Sequence, residues 1–332
     1  MRILVTGGSG YIGSHVSRML KQQGHEVVIV DRVAGQRTWA TEGITIYQGD
    51  IADAKGMISI FEKHKFEAVV HLAASSLVSE SVSNPLLYYA NNVGNTGLLL
   101  EICKLHGVDK VVFSSTSAIY GEVDADRLPT EEWYEANPVN SYGASKLCVE
   151  YMLSHVEDAH GIRSVSLRYF NASGASPDGA IGEYRENPTH LIPSLAAVAM
   201  GQRDQFTIYG THYRTPDGTA VRDYTHVWDI ANAHVKALEY LAKGGGSDWI
   251  NIGAGKGHSV KEMLEEFQTQ WGSPIFYVEG PERPGDIPIN YADIRRAEEK
   301  LGWVPERSTP QQIVEDAIRW YRSDLYKRLT NG

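Results

Sequence analysis

A strand that runs into a glycine-rich turn and then a helix is the feature that most narrows what this chain can fold into. Ile3-Leu4-Val5 reads as a short buried strand, Thr6-Gly7-Gly8-Ser9-Gly10-Tyr11-Ile12-Gly13 follows at once, and Tyr11 to Gln23 carries helical spacing closed by Gly24. The turn fits G-x-G-x-x-G through Gly8, Gly10 and Gly13, and G-x-x-G-x-x-G through Gly7, Gly10 and Gly13. Glycines there permit a tight turn, close approach of backbone to a pyrophosphate, and close helix–sheet packing, while the helix N-terminus supplies N–H groups and dipole. A plain glycine-rich turn shows the same letters. Asp31 separates the two readings, because it ends the next apolar run, Glu26 to Asp31. A carboxylate there accepts hydrogen bonds from an adenosine ribose and repels a 2′-phosphate. The site therefore reads as one for NAD, with the adjacent Arg32 softening the bias against NADP.

The alternation continues. Ile44 to Tyr47, Ala68 to Ala73, Lys110 to Ser115 and Arg163 to Phe170 read as strands, and Asp53 to His64, Pro85 to His106 and Ser141 to His160 as helices. Apolar strands separated by helices predict an α/β, doubly wound parallel sheet. After Phe170 the texture changes: residues 171–187 are rich in Gly, Ala, Ser and Pro and read as a long loop, of the kind that carries function. Helices are expected near 191–201, 227–242 and 259–271, strands at 249–252 and 275–278, loops over 210–219 and 280–288, and two closing helices, the last opening at Thr309-Pro310. The strand at 249–252 is expected to return to the first sheet. That gives a dinucleotide-binding domain over 1–170 with a return segment about 223–256, and a smaller mixed α/β domain from 171–222 and 257–332.

The net charge of −10 argues against nucleic acid and anionic membranes as partners. An anionic ligand must then be held by local cations or backbone dipoles. Cys103 and Cys148 are too few for a disulfide framework or a multi-cysteine metal site, and both are expected as small buried hydrophobes in helices. The stretch from Leu191 to Met200 is far short of the ~20 residues that span a bilayer, and no signal peptide is visible, so a cytoplasmic protein is expected. The 12 histidines are scattered, with no H-E-x-x-H, and His71 at a strand end reads as packed or hydrogen-bonded; no metal is expected.

Tyr142-Gly143-Ala144-Ser145-Lys146 sets a Tyr and a Lys one helical turn apart on one face. A phenol of pKa ~10 is a poor base at neutral pH, and a nearby ammonium and an oxidised nicotinamide would both lower it. The pattern also arises by chance in surface helices. It gains weight from Ser114-Ser115-Thr116, because the C-terminal ends of parallel strands form the ligand crevice.

TGGSGYIGSH, SSTSAIYG, SYGASK, LRYFNASGA and VRDYTHV together resemble the extended short-chain dehydrogenase/reductases, and within them the UDP-galactose (UDP-glucose) 4-epimerases. The resemblance covers nearly the whole chain. It implies a Rossmann sheet of about seven strands holding NAD, a smaller domain binding a nucleotide sugar, and a homodimer built on helices near 85–106 and 142–160. It further implies that Tyr142 is the base, that Lys146 tunes it and binds the nicotinamide ribose, and that Thr116 bridges to the sugar hydroxyl. Cofactor contacts carry over to Gly7, Gly10, Tyr11, Ile12, Gly13, Asp31, Arg32, Asp50, Ile51, Leu72, Ala73, Ala74, Asn91, Ser114 and Tyr169. Substrate contacts carry over to Phe170, Asn171, His190, Leu191, Tyr209, Arg222, Tyr224, Arg283, Asp286 and Asn290, with both arginines on the diphosphate and Asp286 on the uridine ribose.

Three departures from the family stand out. Ser76 replaces a lysine near the cofactor phosphates, His190 replaces an Asn, and the loop after Asp31 is short. Asn290 stands where a large Tyr restricts the sugar pocket, so N-acetylated UDP-sugars are expected to be accepted too. Rival readings are a UDP-pentose or UDP-uronate 4-epimerase, a reductase, a 4,6-dehydratase, and a non-catalytic dinucleotide sensor. A dehydratase needs an acidic pair after the catalytic Thr, where this chain has Ser117 and Ala118, and a sensor need not keep both Tyr142 and Lys146.

Overall fold

A computed structural model describes residues 1–33, 38–283 and 286–331. The strands are β1 (Arg2–Thr6), β2 (Glu26–Asp31), β3 (Thr45–Gln48), β4 (Ala68–His71), β5 (Lys110–Thr116), β6 (Arg163–Tyr169), β7 (Asn171–Ser173), β8 (Phe206–Tyr209), β9 (Val221–Arg222), β10 (Tyr224–His226), β11 (Asp248–Ile252), β12 (His258–Ser259), β13 (Tyr277–Gly280) and β14 (Ile289–Asn290). The α-helices are α1 (Tyr11–Gln22), α2 (Ala54–His64), α3 (Val78–Ser83), α4 (Pro85–Tyr88), α5 (Asn95–Leu105), α6 (Ser141–His160), α7 (Leu191–Ala199), α8 (Val227–Ala242), α9 (Val260–Trp271), α10 (Arg295–Leu301), α11 (Pro310–Tyr321) and α12 (Asp324–Asn331).

Seven strands form one parallel sheet in the order β11-β6-β5-β4-β1-β2-β3. The order reverses beside β1, so the C-terminal ends of β1 and β4 open a crevice there. One core packs β1, β2 and β6 against α1 and α8, through Val16, Leu20, Ile230 and Leu238. The other face is covered by α2, α5 and α6 through Phe61, Leu99, Cys103 and Val149. Apolar strands covered on both sides are the condition for a parallel sheet. A third core, with Leu195, Phe267, Ile313 and Trp320, lies among α7, α9 and α11 beside the C-terminal ends of the strands.

Most elements follow the sequence pattern, and β11 pairs with β6 as expected. Four expectations are corrected. The helix expected over 85–106 is interrupted by a π-helical stretch at Tyr89–Gly94. The loop expected over 171–187 opens with β7, which pairs with β10, and contains an Ala175–Gly182 bridge. A third closing helix, α12, follows α11. Cys148 is exposed while Cys103 is buried, because α6 turns Cys148 away from the sheet. Among the described residues no helix is long and apolar enough to cross a membrane.

Candidate functional site

The glycine-rich turn is built by close contact. Gly7 has φ +72°, and a Cβ there would lie 2.7 Å from Ala73 N. A Cβ on Gly13 would lie 2.1 Å from Gly7 O and 2.8 Å from Gly8 Cα. At the end of β2, the Asp31 carboxylate accepts from Ser9 N (2.9 Å) and Val33 N (3.0 Å). Asp50 accepts from Ala52 N (3.0 Å) and faces Arg32 at 3.8 Å. The NAD implied by the sequence fits these residues: the turn leaves room only for backbone beside the helix N-terminus, and a carboxylate closes the next strand. The loop after Asp31 falls on residues 34–37, outside the described residues.

Across the crevice, α6 starts hard against the end of β5. Asn140 accepts from Gly143 N (2.9 Å), and a Cβ on Gly143 would lie 2.5 Å from Ala118 O. This close approach sets Tyr142 beside Thr116, whose hydroxyl hydrogen-bonds the phenol and also accepts from Ala118 N at 3.1 Å. One turn on, Lys146 is buried; its ammonium donates to Ser114 O (2.7 Å) and lies 4.7 Å from the Phe113 ring centroid. Burial pushes Lys146 down to about 7, opposed by Glu150. Tyr142 moves up rather than down, because burial outweighs its bond to Thr116. The expected lowering depends on an ammonium and an oxidised nicotinamide together, and in the protein alone burial of the phenol sets the direction.

Beneath these groups lies a buried polar network that sequence reasoning missed. Glu150 accepts from Ser115 Oγ (2.5 Å) and from Arg168 Nε and Nη2 (3.1 and 2.6 Å). Arg168 also donates to Tyr120 Oη (2.8 Å), which donates to Asn251 Oδ1 (2.7 Å). Asn92, in the π stretch, accepts from Ser75 N and donates to Ser145 Oγ, joining the end of β4 to α6. The spacing of Lys146 and Glu150 was the available signal for Glu150. Nothing in the letters around Asn92 marks a π stretch, although such stretches recur at functional sites.

One cleft of about 670 Å³ runs from Asp31 past Gly13, Thr116 and Tyr142 to Arg222 and Arg283. Every candidate residue named above lines it except Asn290. Asn290 sits on β14 beside Arg222, and its Oδ1 accepts from Thr130 Oγ1 at 3.4 Å, so its side chain is drawn off the cleft wall. Arg222 pairs with Asp286 (2.5 Å), and the Arg283 guanidinium lies 4.1 Å from the Tyr209 ring centroid. Pro284 and Gly285, between those two cleft residues, lie outside the described residues. Asn171 and Tyr224 face each other across β7 and β10, and Tyr169 bonds to His234 Nε2 (2.5 Å). His71 lies between Thr6 Oγ1 (2.7 Å) and Thr96 Oγ1 (2.8 Å), and burial pushes it down to about 3, which keeps it neutral. Among the described residues no cluster of His, Cys, Asp or Glu could hold a metal ion.

The chain was compared with known proteins. It is 44% identical over 322 residues to a UDP-glucose 4-epimerase of Halalkalibacterium halodurans, covering 97% of this chain and 96% of that protein. Among solved structures it superposes on UDP-glucose 4-epimerase from Brucella ovis in complex with NAD, with TM-score 0.91 and 42% identity over 95% of this chain and 97% of that one. It also superposes on the UDP-Glc/GlcNAc 4-epimerase of Campylobacter jejuni, with TM-score 0.81 and 38% identity over 96% and 98%. Residues 3–253, which hold the glycine turn, Thr116, Tyr142 and Lys146, match a described family. With the seven-stranded sheet and the cleft across its switch point, that match makes the chain a member of the NAD dependent epimerase/dehydratase family.

Proposed function

We propose that this protein is a UDP-glucose 4-epimerase that interconverts UDP-glucose and UDP-galactose through a 4-keto sugar retained in the cleft. The observation that carries this reading is Tyr142 held against Thr116, with Lys146 one turn on, at the strand ends facing the glycine-rich turn. Bound NAD supplies the hydride acceptor and donor for sugar C4. Tyr142 Oη takes the proton of the 4-hydroxyl and returns it to the 4-oxygen after the sugar has presented its other face. Thr116 holds that oxygen through its hydroxyl. Lys146 binds the nicotinamide ribose and places positive charge near the phenol. Arg222 and Arg283 hold the diphosphate, which requires Arg222 to exchange its Asp286 partner for phosphate oxygens. Positioning and charge carry most of the rate, and the cleft must keep the keto sugar from escaping.

The test is incubation with UDP-galactose and no added cofactor: UDP-glucose forms on NAD already bound, whereas a net reductase gives no turnover. We also propose that UDP-GlcNAc and UDP-GalNAc are substrates, since no large ring stands at position 290; absence of UDP-GlcNAc turnover in an enzyme active on UDP-glucose refutes it. The division at 1–170, with a return segment about 223–256, is supported by the separate core of α7, α9 and α11. A homodimer through the helices near 85–106 and 142–160 is supported by the exposed Leu86, Leu105 and Tyr151; a monomeric mass in solution refutes it. A cytoplasmic location fits the bound-cofactor chemistry and is checked by fractionation.

A further inference from the structure

A hairpin over residues 174–183 lies along α1 and ends beside the glycine-rich turn. The Tyr11 hydroxyl, at the first residue of α1, donates to Gly174 O (2.8 Å). Farther along the same helix, Arg18 pairs with Asp178 at the hairpin tip. Ala175 bridges Gly182, and Ser176 N donates to Ile181 O (2.8 Å), so the returning strand runs from Arg18 back toward Tyr11. Three residues on, Arg185 reaches the cleft that Gly7, Gly10 and Gly13 also line, at the end of α1 where a dinucleotide pyrophosphate is bound.

The end of this strand is anchored. Trp320 Nε1 donates to Glu183 O (3.1 Å), and the Glu183 side chain is only 4% exposed. Its carboxylate takes Arg185 Nε and His190 Nδ1, each at 2.9 Å. Arg185 therefore sets its Nε against a buried anchor as an ion pair and turns the two terminal amino groups of its fork to an anion. It lines the cleft together with Gly7, Gly10 and Gly13. Both Glu183 and Arg185 act electrostatically on the Tyr11 phenol, which burial chiefly pushes up. Like Arg185, the other strong cations of the cleft have local partners: Arg32 has Asp50, Lys146 has Ser114 O, Arg222 has Asp286, and Arg283 has the Tyr209 ring. On the opposing wall, position 76 is a neutral serine.

We propose that Arg185, oriented by the buried Glu183 carboxylate, binds the NAD pyrophosphate from the side opposite the glycine-rich turn and fastens the cofactor across the cleft. A guanidinium already held in place loses little side-chain freedom on binding, so its contribution appears as slow release. Retention matters for an enzyme that regenerates its cofactor in every turnover.

The test uses the NAD-loaded protein and the variants Arg185→Gln, Arg185→Lys and Glu183→Gln. Release of NAD is followed after dilution into an NAD-free buffer, and KM for UDP-galactose is measured with NAD in excess. The expected result is release about tenfold faster for Arg185→Gln, equivalent to about 1.4 kcal/mol. Arg185→Lys should recover part of the retention, Glu183→Gln should fall between, and KM should stay within about twofold. Unchanged release in all three variants overturns the proposal. So does a raised KM with unchanged release, which would assign Arg185 to the diphosphate of the sugar nucleotide. An equal loss of thermal stability in the NAD-free Arg185→Gln and Arg185→Lys variants, with no difference in release between them, makes the residue structural and also overturns it. The inference rests on NAD occupying this cleft; failure of that premise shows separately, as no NAD on the unaltered protein.

Discussion

Replacing Lys146 with Met should make the NAD-free protein more stable and inactive. The side chain is 2% exposed, and burial lowers its pKa from 10.5 to about 7. At pH 7 the unfolded chain binds that proton fully, while the folded chain binds it about half the time. The linkage relation converts this difference into about 4 kcal/mol of destabilisation carried by the lysine. Met fills nearly the same volume without the charge. It leaves Ser114 O without its donor, which costs about 1–3 kcal/mol. The net is a gain of about 1–3 kcal/mol, or a few degrees in Tm for a chain of this size. The sign can be followed with pH. The folded pKa lies below the unfolded one, so unaltered protein gains stability from this group as pH rises from about 7 toward 10.5, and the advantage of Met shrinks over that window. Thermal melts of NAD-free Lys146→Met and unaltered protein at pH 7 and pH 10 measure both quantities, and turnover of UDP-galactose measures the functional cost. A variant less stable than its parent at pH 7, or an advantage that stays constant up to pH 10, refutes the reasoning.

Other consequences are more local. Tyr142→Phe should lower turnover by about 10²–10⁴ while leaving NAD bound, as product formation and cofactor content of the purified variant will tell. Gly13→Ala drives a Cβ to 2.1 Å from Gly7 O; about 1–3 kcal/mol of stability should be lost and NAD should no longer copurify, and a stable, NAD-loaded variant contradicts the backbone-cradle account. Glu150→Gln leaves Arg168 as a buried charge without its carboxylate and should cost about 3–5 kcal/mol in denaturant unfolding, against about 1 kcal/mol for Ser115→Ala; similar losses in both would discount the ion pair.

The central sheet was legible because its strands are short apolar runs bounded by glycine or polar turns, and because the right ends of β1 and β5 carry Gly7–Gly13 and Thr116. Those signals are local in sequence. The return of β11 was readable from Trp249 to Ile252 for the same reason. What escaped depends on contacts distant along the chain. β7 exists only because β10 lies beside it, some fifty residues later, and its three residues have no strand period of their own. Glu183 and Arg185 look like loop charges until the Ala175–Gly182 bridge and Trp320 fix where they point. Cys148 failed for a related reason: a side chain's direction is set by the rotation of its helix, just as Asn290 is turned to Thr130 by β14 lying beside β9.

The place of β11 in the sheet also bears on how the protein is made. Residues 1–169 contain six of the seven strands of the sheet, yet β6 keeps an open edge until residues 248–252 have been synthesised. An apolar parallel strand with unpaired N–H and C=O groups is a template for pairing with another chain. A nascent chain halted anywhere between β6 and β11 would carry a nearly complete nucleotide-binding sheet with that edge bare. Aggregation of fragments ending near residue 170, and its relief when residues 223–256 are supplied on the same chain, is how this topology would announce itself in the cell.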